Sequence, residues 1–233
     1  TPQTVTVTGV DDDIIDGTVA STLTISIVDA SSDNDFDAVA DQTVSAATTD
    51  DDVAGFTIAE TDGSTSVAES GTTDTFTVVL DAEPASDVVL TITSGDTGEA
   101  TVTSTLTFTS ANWDTAQTVT VTGVDDDLVD GTITSTITLS INDGSSDNNF
   151  DSVSDQTVSV TTTDDDAAGF TITELSGTSV NESGTTDTFT VVLDAEPASD
   201  VVLTITSSDT GEATVTSTLT FTSANWDTPQ TVT

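Results

Sequence analysis

The chain has 233 residues, of which 42 are acidic and none is Lys, Arg or His, so its formal charge at neutral pH is −42. A polyanion of this density is repelled by nucleic acid and by anionic membranes, which leaves cations and cationic surfaces as its natural partners. The absence of Cys and His removes disulfides and the usual ligands of zinc, copper, haem and iron–sulfur clusters, so only oxygen-donor sites remain.

Four aspartate runs, Asp11–Asp13, Asp50–Asp52, Asp125–Asp127 and Asp164–Asp166, punctuate the chain, and no cationic side chain can neutralise them. Adjacent carboxylates held ionised at neutral pH are the ligand type that Ca²⁺ prefers. Asp11 and Asp125 are 114 positions apart, as are Asp50 and Asp164, which makes the chain a tandem repeat. The offset falls to 113 where Leu175-Ser176-Gly177 answers Thr61-Asp62-Gly63-Ser64. Glu69–Thr118 then recurs as Glu182–Thr231 with two changes, Gly95 to Ser208 and Ala116 to Pro229. Thr1–Thr6 returns as Thr228–Thr233, so both ends fall at one phase of the repeat and read as cuts through a longer array.

Apolar residues alternate with Thr in period two, and helix signals are missing. In chain order, Phe56 and Ile58 share a face, then Phe76, Val78 and Leu80, then Val88, Leu90 and Ile92, then Val102, Leu106 and Phe108. Val119 and Val121 follow, then Ile133, Ile137, Leu139 and Ile141, then Val158 and Val160. About seven short strands with polar turns predict an all-β chain of tandem antiparallel β-sandwiches. The Asp runs set the phase. Thr1–Asp52 reads as the C-terminal part of a preceding repeat, Val53–Asp166 as a complete repeat, and Ala167–Thr233 as the N-terminal part of a following one. Half a sandwich exposes its apolar face and unpaired edges. Trimmed neighbouring repeats are the preferred account, and identical chains completing each other in a filament are the alternative.

If successive strands alternate in direction, every second connection lies at one pole. Glu69, Asp96, both Asp runs and Asp130 then share that pole, where like charges repel unless a cation sits among them. The next repeat begins at the same pole. The acids Asp143, Asp147, Asp151 and Asp155 of the opposite loop lack the Gly and Glu of an EF-hand and read as a solvated loop anchored by Phe150.

Val67-Ala68-Glu69-Ser70-Gly71-Thr72 before a strand, Thr105-Leu106-Thr107-Phe108, Asp125-Asp126-Asp127-Leu128-Val129-Asp130 and the terminal Asp164-Asp165-Asp166 together resemble the Calx-β domain, here in the form found in giant bacterial and archaeal surface proteins and adhesins. The resemblance covers the whole repeat. It implies a seven-stranded sandwich that binds several Ca²⁺ ions at the junction between domains. The ligands it implies are Glu69, Asp125, Asp126, Asp130, Asp164, Asp165 and Asp166, with Asp127 in the same run. Asp96 stands apart because its loop departs from the family's Asp-Gly-Thr-Ala, and Asp130 stands where the family commonly has Glu. The partial repeats carry partial sites: Asp11, Asp12, Asp16, Asp50, Asp51 and Asp52 lack their Glu, and Glu182 and Asp209 lack their Asp runs.

Rival readings are weaker. Outward Thr stripes are ordinary sheet surface rather than an ice-binding face, and one Trp per repeat, Trp113 and Trp226, reads as a structural plug. Paired carboxylates without an apolar pocket to raise one pKa do not make a glycosidase, so no enzymatic activity is expected. The expected function is a calcium-rigidified stalk, spacer or filament segment of a large extracellular, cell-surface or matrix protein. Its partners are neighbouring repeats, with no membrane insertion. An adhesin module that binds a glycan or protein is a further alternative.

Overall fold

The computed structural model describes the whole chain, Thr1–Thr233, as sixteen strands joined by turns and single turns of 3-10 helix. Strands β1 (Val19–Ile25) and β2 (Gln42–Thr48) pair antiparallel near the N-terminus. The middle of the chain supplies β3 (Phe56–Glu60), β4 (Thr65–Ala68), β5 (Thr73–Leu80), β6 (Val88–Ser94) and β7 (Ala100–Val102). It continues with β8 (Thr105–Phe108), β9 (Gln117–Gly123), β10 (Ile133–Ile141) and β11 (Gln156–Thr163). The last third holds β12 (Phe170–Thr173), β13 (Phe189–Leu193), β14 (Val201–Thr204), β15 (Thr218–Phe221) and β16 (Gln230–Val232).

Strands β3–β11 form a β-sandwich of two sheets, ordered β3-β5-β9-β7 and β4-β11-β10-β6-β8. The period-two residues of both sheets meet in one core of 18 buried side chains, from Phe56 to Val160. Phe76, Val78, Val119 and Val121 come from the first sheet, and Leu90, Phe108, Ile137, Leu139 and Val160 from the second. Alternation along each strand thus fills the space between the layers.

This unit has nine strands where about seven are expected, because two segments change sheet midway. After β3 the chain turns through Asp62 and Gly63, both with positive φ (57° and 80°), and β4 joins the opposite sheet by parallel pairing with β11. The stretch holding Val102, Leu106 and Phe108 is likewise divided. Thr103 donates its N–H to Thr120 on one sheet, and Ser104 accepts from Ile92 on the other. Each switch lets one segment close an edge of both sheets, which limits open edges.

Strand direction fixes two poles. Thr73 at the start of β5 faces Thr122 near the end of β9, and Val78 faces Gln117. Connections β4–β5, β6–β7 and β9–β10 and the segment after β11 therefore lie at one pole, and the β5–β6 and β10–β11 connections at the other. At the second pole Phe150 is fully buried, and the buried Asp147 carboxylate accepts N–H bonds from Ser86 (2.9 Å) and Asn149 (3.0 Å). Asp147 is therefore a structural tie within a loop otherwise read as solvated.

The poles are where the units meet. The N–H of Glu83, in the β5–β6 turn, donates to the Asp13 carbonyl (2.7 Å), and that of Glu196 donates to Asp127 (2.6 Å). Ile14 bridges Glu83 as Leu128 bridges Glu196. The same junction is thus built twice, each time from an Asp-run loop and the next unit's turn.

Candidate metal centre

The turn that carries Glu69 is shaped by its sequence. Ala68 donates to the Thr72 hydroxyl (2.7 Å), and Gly71 and Thr72 return N–H bonds to the Ala68 carbonyl. Gly71 supplies the left-handed φ of 83° that this tight return needs. Gly123, at the end of β9, lets the turn approach: a Cβ there would lie 2.0 Å from the Ala68 carbonyl oxygen. The turn is thereby pressed into the pole, and Glu69 is 1% exposed.

Both carboxylate oxygens of Glu69 are buried without a hydrogen-bond partner, as is Oε2 of Glu99. Two groups of acids gather on Glu69. It stands with Glu99 and Asp130 in one and with Asp164 and Asp166 in the other, the ligand oxygens of each group lying within 4.8 Å of one another. A buried carboxylate with neither donor nor counter-ion is strongly disfavoured in its charged form. Burial, reinforced by the charges of Asp126, Asp164, Asp130 and Glu99, pushes the Glu69 carboxyl up to about 7. Burial also raises Glu99, helped by Asp130, Asp96 and Asp126. Asp130 is raised by desolvation and by Asp126, and Asp166 by desolvation and by Asp127.

Asp164 behaves oppositely. Its oxygens accept N–H bonds from Gly131 (2.7 Å), Asp166 (2.7 Å) and Asp130 (3.1 Å), and these bonds, Gly131 first, lower its pKa. The pole thus combines one carboxylate fixed in its ionised state by the backbone with several whose negative charge lacks compensation. A divalent cation is the group that would satisfy them together, and carboxylates of this number and flexibility fit Ca²⁺ better than the small octahedral Mg²⁺.

Of the expected ligands, the structure gathers Glu69, Asp130, Asp164 and Asp166 into the two close groups and leaves Asp96, Asp125, Asp126, Asp127 and Asp165 outside them. Asp126 is bonded to the Leu128 N–H (2.8 Å) with its charge bearing on Glu69, and Asp96 accepts the Gly98 N–H (3.0 Å). Asp125, Asp127 and Asp165 face solvent, although the Asp127 carbonyl takes part in the junction. Glu99 was missed by sequence reasoning. Its signal was present: Asp96-Thr97-Gly98-Glu99 returns intact as Asp209-Thr210-Gly211-Glu212.

In the N-terminal unit, Asp50 accepts from Gly17 (2.7 Å) and Asp52 (2.8 Å), just as Asp164 does from Gly131 and Asp166. Its pKa is lowered by the bond from Asp52 and then that from Gly17, whereas Asp52 is raised by desolvation and Asp50. Asp11, Asp12, Asp16 and Asp51 lie around them, lining a shallow cleft. Glu182 is exposed, and the Asp209 carboxylate accepts the Gly211 N–H (2.9 Å) of its own turn.

No family model matches the chain, and no curated protein matches it. Among solved structures it is similar to the apo form of the Calx CBD1 domain, at 16% identity over 48% of this chain and 98% of that one, with a TM-score of 0.34. It is similar to CBD12 from CALX1.2 at 16% identity over 75% and 73% of the two chains, TM-score 0.35. Domains 4 and 5 of the S-layer protein SbsC match at 25% identity over 52% of each chain, TM-score 0.32. At TM-scores this low the likenesses carry no functional argument, and the reading of the site rests on its own residues.

Proposed function

We propose that this chain is a calcium-rigidified segment of an extracellular structural protein, a stalk or spacer built from end-to-end sandwiches. One observation carries the reading: Glu69 is buried with both oxygens unpartnered among other carboxylates, in a chain with no basic side chain. Glu69, Glu99, Asp130, Asp164 and Asp166 would hold the ions, with Asp126 adding charge nearby. Their pole is the one whose Asp125–Val129 loop is hydrogen-bonded to the next unit at Glu196. An ion bound there fixes the loop that makes the junction, so binding removes hinge freedom and charge repulsion at once. Millimolar extracellular Ca²⁺ suits sites of this type, whose dissociation constants run about 10⁻⁴ to 10⁻³ M.

The test is thermal unfolding and small-angle scattering of the 233-residue chain with Ca²⁺ and with EDTA. The expected result is a melting temperature at least about 10 °C higher with Ca²⁺, and an extended profile that becomes flexible in EDTA. Identical melting and scattering in the two conditions would show the acidic pole to be a solvated turn cluster.

A further inference from the structure

Alternation along β10 puts Ile133, Ser135, Ile137 and Leu139 on one face, so a single hydroxyl interrupts an apolar stripe. The same interruption recurs in β1 as Val19, Ser21, Leu23 and Ile25, although the apolar residues around it differ. Ser135 is 7% exposed, and its Oγ is buried without a hydrogen-bond partner. An unpartnered hydroxyl destabilises a core, and the strand register shows what this one faces.

Strand β10 leaves the acidic pole and β11 returns to it. Ser135 pairs with Val160, one rung below the pairing of Ile133 with Thr162. Thr162 is fully buried and donates its hydroxyl to the Glu99 carbonyl (3.5 Å). On the other flank Gly95 donates its N–H to the Thr136 carbonyl (2.8 Å), so the segment that leads through Asp96 to Glu99 starts beside Ser135. Diagonal neighbours on one sheet face lie about 7 to 8 Å apart. Ser135 therefore stands one step beneath Thr162 and the Glu99 turn, on the inner side of the acids. Glu99 is itself 7% exposed, with Oε2 buried and unpartnered. The equivalent Ser21 lines one cleft together with Asp16, Asp50 and Asp52, the counterparts of Asp130, Asp164 and Asp166.

We infer that Ser135 is the inner anchor of the ion held by Glu69, Glu99 and Asp130: a water ligand of that ion donates one hydrogen to Ser135 Oγ and the other to Glu99 Oε2. Glu99 meets the ion through its other oxygen. The arrangement satisfies both orphaned atoms at once and gives the water three partners, as a buried water requires. Calcium readily keeps a water among its oxygen ligands. Ser135 is thus a positioning residue that acts through the water and through Glu99. The inference rests on the function proposed above, yet it can fail while the calcium site stands.

The test is calorimetric calcium titration of the full chain, with melting in EDTA and in Ca²⁺, for the unsubstituted protein, Ser135→Ala, Ser135→Thr and Glu69→Gln. The calcium-binding component that Glu69→Gln removes belongs to the middle pole. In Ser135→Ala that component is expected to weaken about tenfold, while melting in EDTA falls no lower than before, because only an unpartnered hydroxyl is lost. Ser135→Thr keeps the hydroxyl and should restore most of the affinity. Unchanged affinity in Ser135→Ala, with the component still lost in Glu69→Gln, overturns the anchoring role and leaves the calcium site intact. A drop in melting temperature of equal size in EDTA and in Ca²⁺ shows Ser135 to be a packing residue and overturns it too. No calcium binding by the unsubstituted protein overturns the site and the anchor together.

Discussion

The Asp164 carboxylate accepts the Gly131 N–H at 2.7 Å, and the Asp50 carboxylate accepts that of Gly17 at 2.7 Å. Gly131 and Gly17 both have positive φ, 79° and 71°. The segment after one strand is thereby locked to the loop before another in both units. Asp164→Asn leaves an acceptor oxygen but removes the charge that orients these donors. The expected outcome is a calcium affinity weakened roughly tenfold, read by calorimetric titration, while Asp165→Asn at the neighbouring exposed position changes it less than about twofold.

Glu69 sets the pH dependence. Its carboxyl is raised to about 7 from an ordinary value of 4.5. Between those values the folded protein keeps a proton that the unfolded chain has lost, so without calcium stability falls as pH rises through the window, by up to about 3 kcal/mol. Asp164, lowered by its backbone donors, has the opposite sign: its contribution is present above the unfolded value of 3.8 and fades as pH falls below it. Calcium-free protein should be most stable in mild acid. Melting temperatures across pH in EDTA check this, and Glu69→Gln should flatten the upper limb and abolish the calcium response. A calcium-free protein that gains stability from pH 5 to pH 8 would contradict the assignment.

Glu99 is the ligand candidate that the fold adds to those read from the sequence. Glu99→Gln should raise the calcium-free melting temperature, because a buried charge is removed, and weaken calcium binding roughly tenfold. Asp96→Asn, which alters a carboxylate engaged in its own turn, should do far less.

Gly123 tests the packing that buries Glu69. A methyl group 2.0 Å from the Ala68 carbonyl oxygen cannot be absorbed by a side-chain rotation, so Gly123→Ala should cost about 3 kcal/mol and weaken calcium binding with it.

Phe150→Ala should destabilise the middle sandwich by about 3 to 5 kcal/mol, since the ring is fully buried. Phe36→Ala, at the equivalent but 55% exposed position, should change the melting of the dilute chain by less than about 0.5 kcal/mol. Denaturant unfolding of both variants makes the comparison.

Much of the fold was legible because its signal is local. Period-two alternation placed Phe76, Val78 and Leu80 on one face, the Asp runs marked the repeat, and strand alternation placed Glu69, Asp130 and Asp164 at one pole. What no local pattern carries is a change of sheet. The turn at Asp62 and Gly63 and the step between Thr103 and Ser104 yielded nine strands in place of seven because each segment had partners on both layers. The site divided in the same way. Sequence alone determined that the acids have no internal counter-charge, and strand alternation assigned them to one pole. Tertiary structure decided which of them meet, because burial of Glu69 and Glu99 depends on close backbone approach across strands, whereas Asp125 and Asp165 sit in the same motifs with their side chains in water.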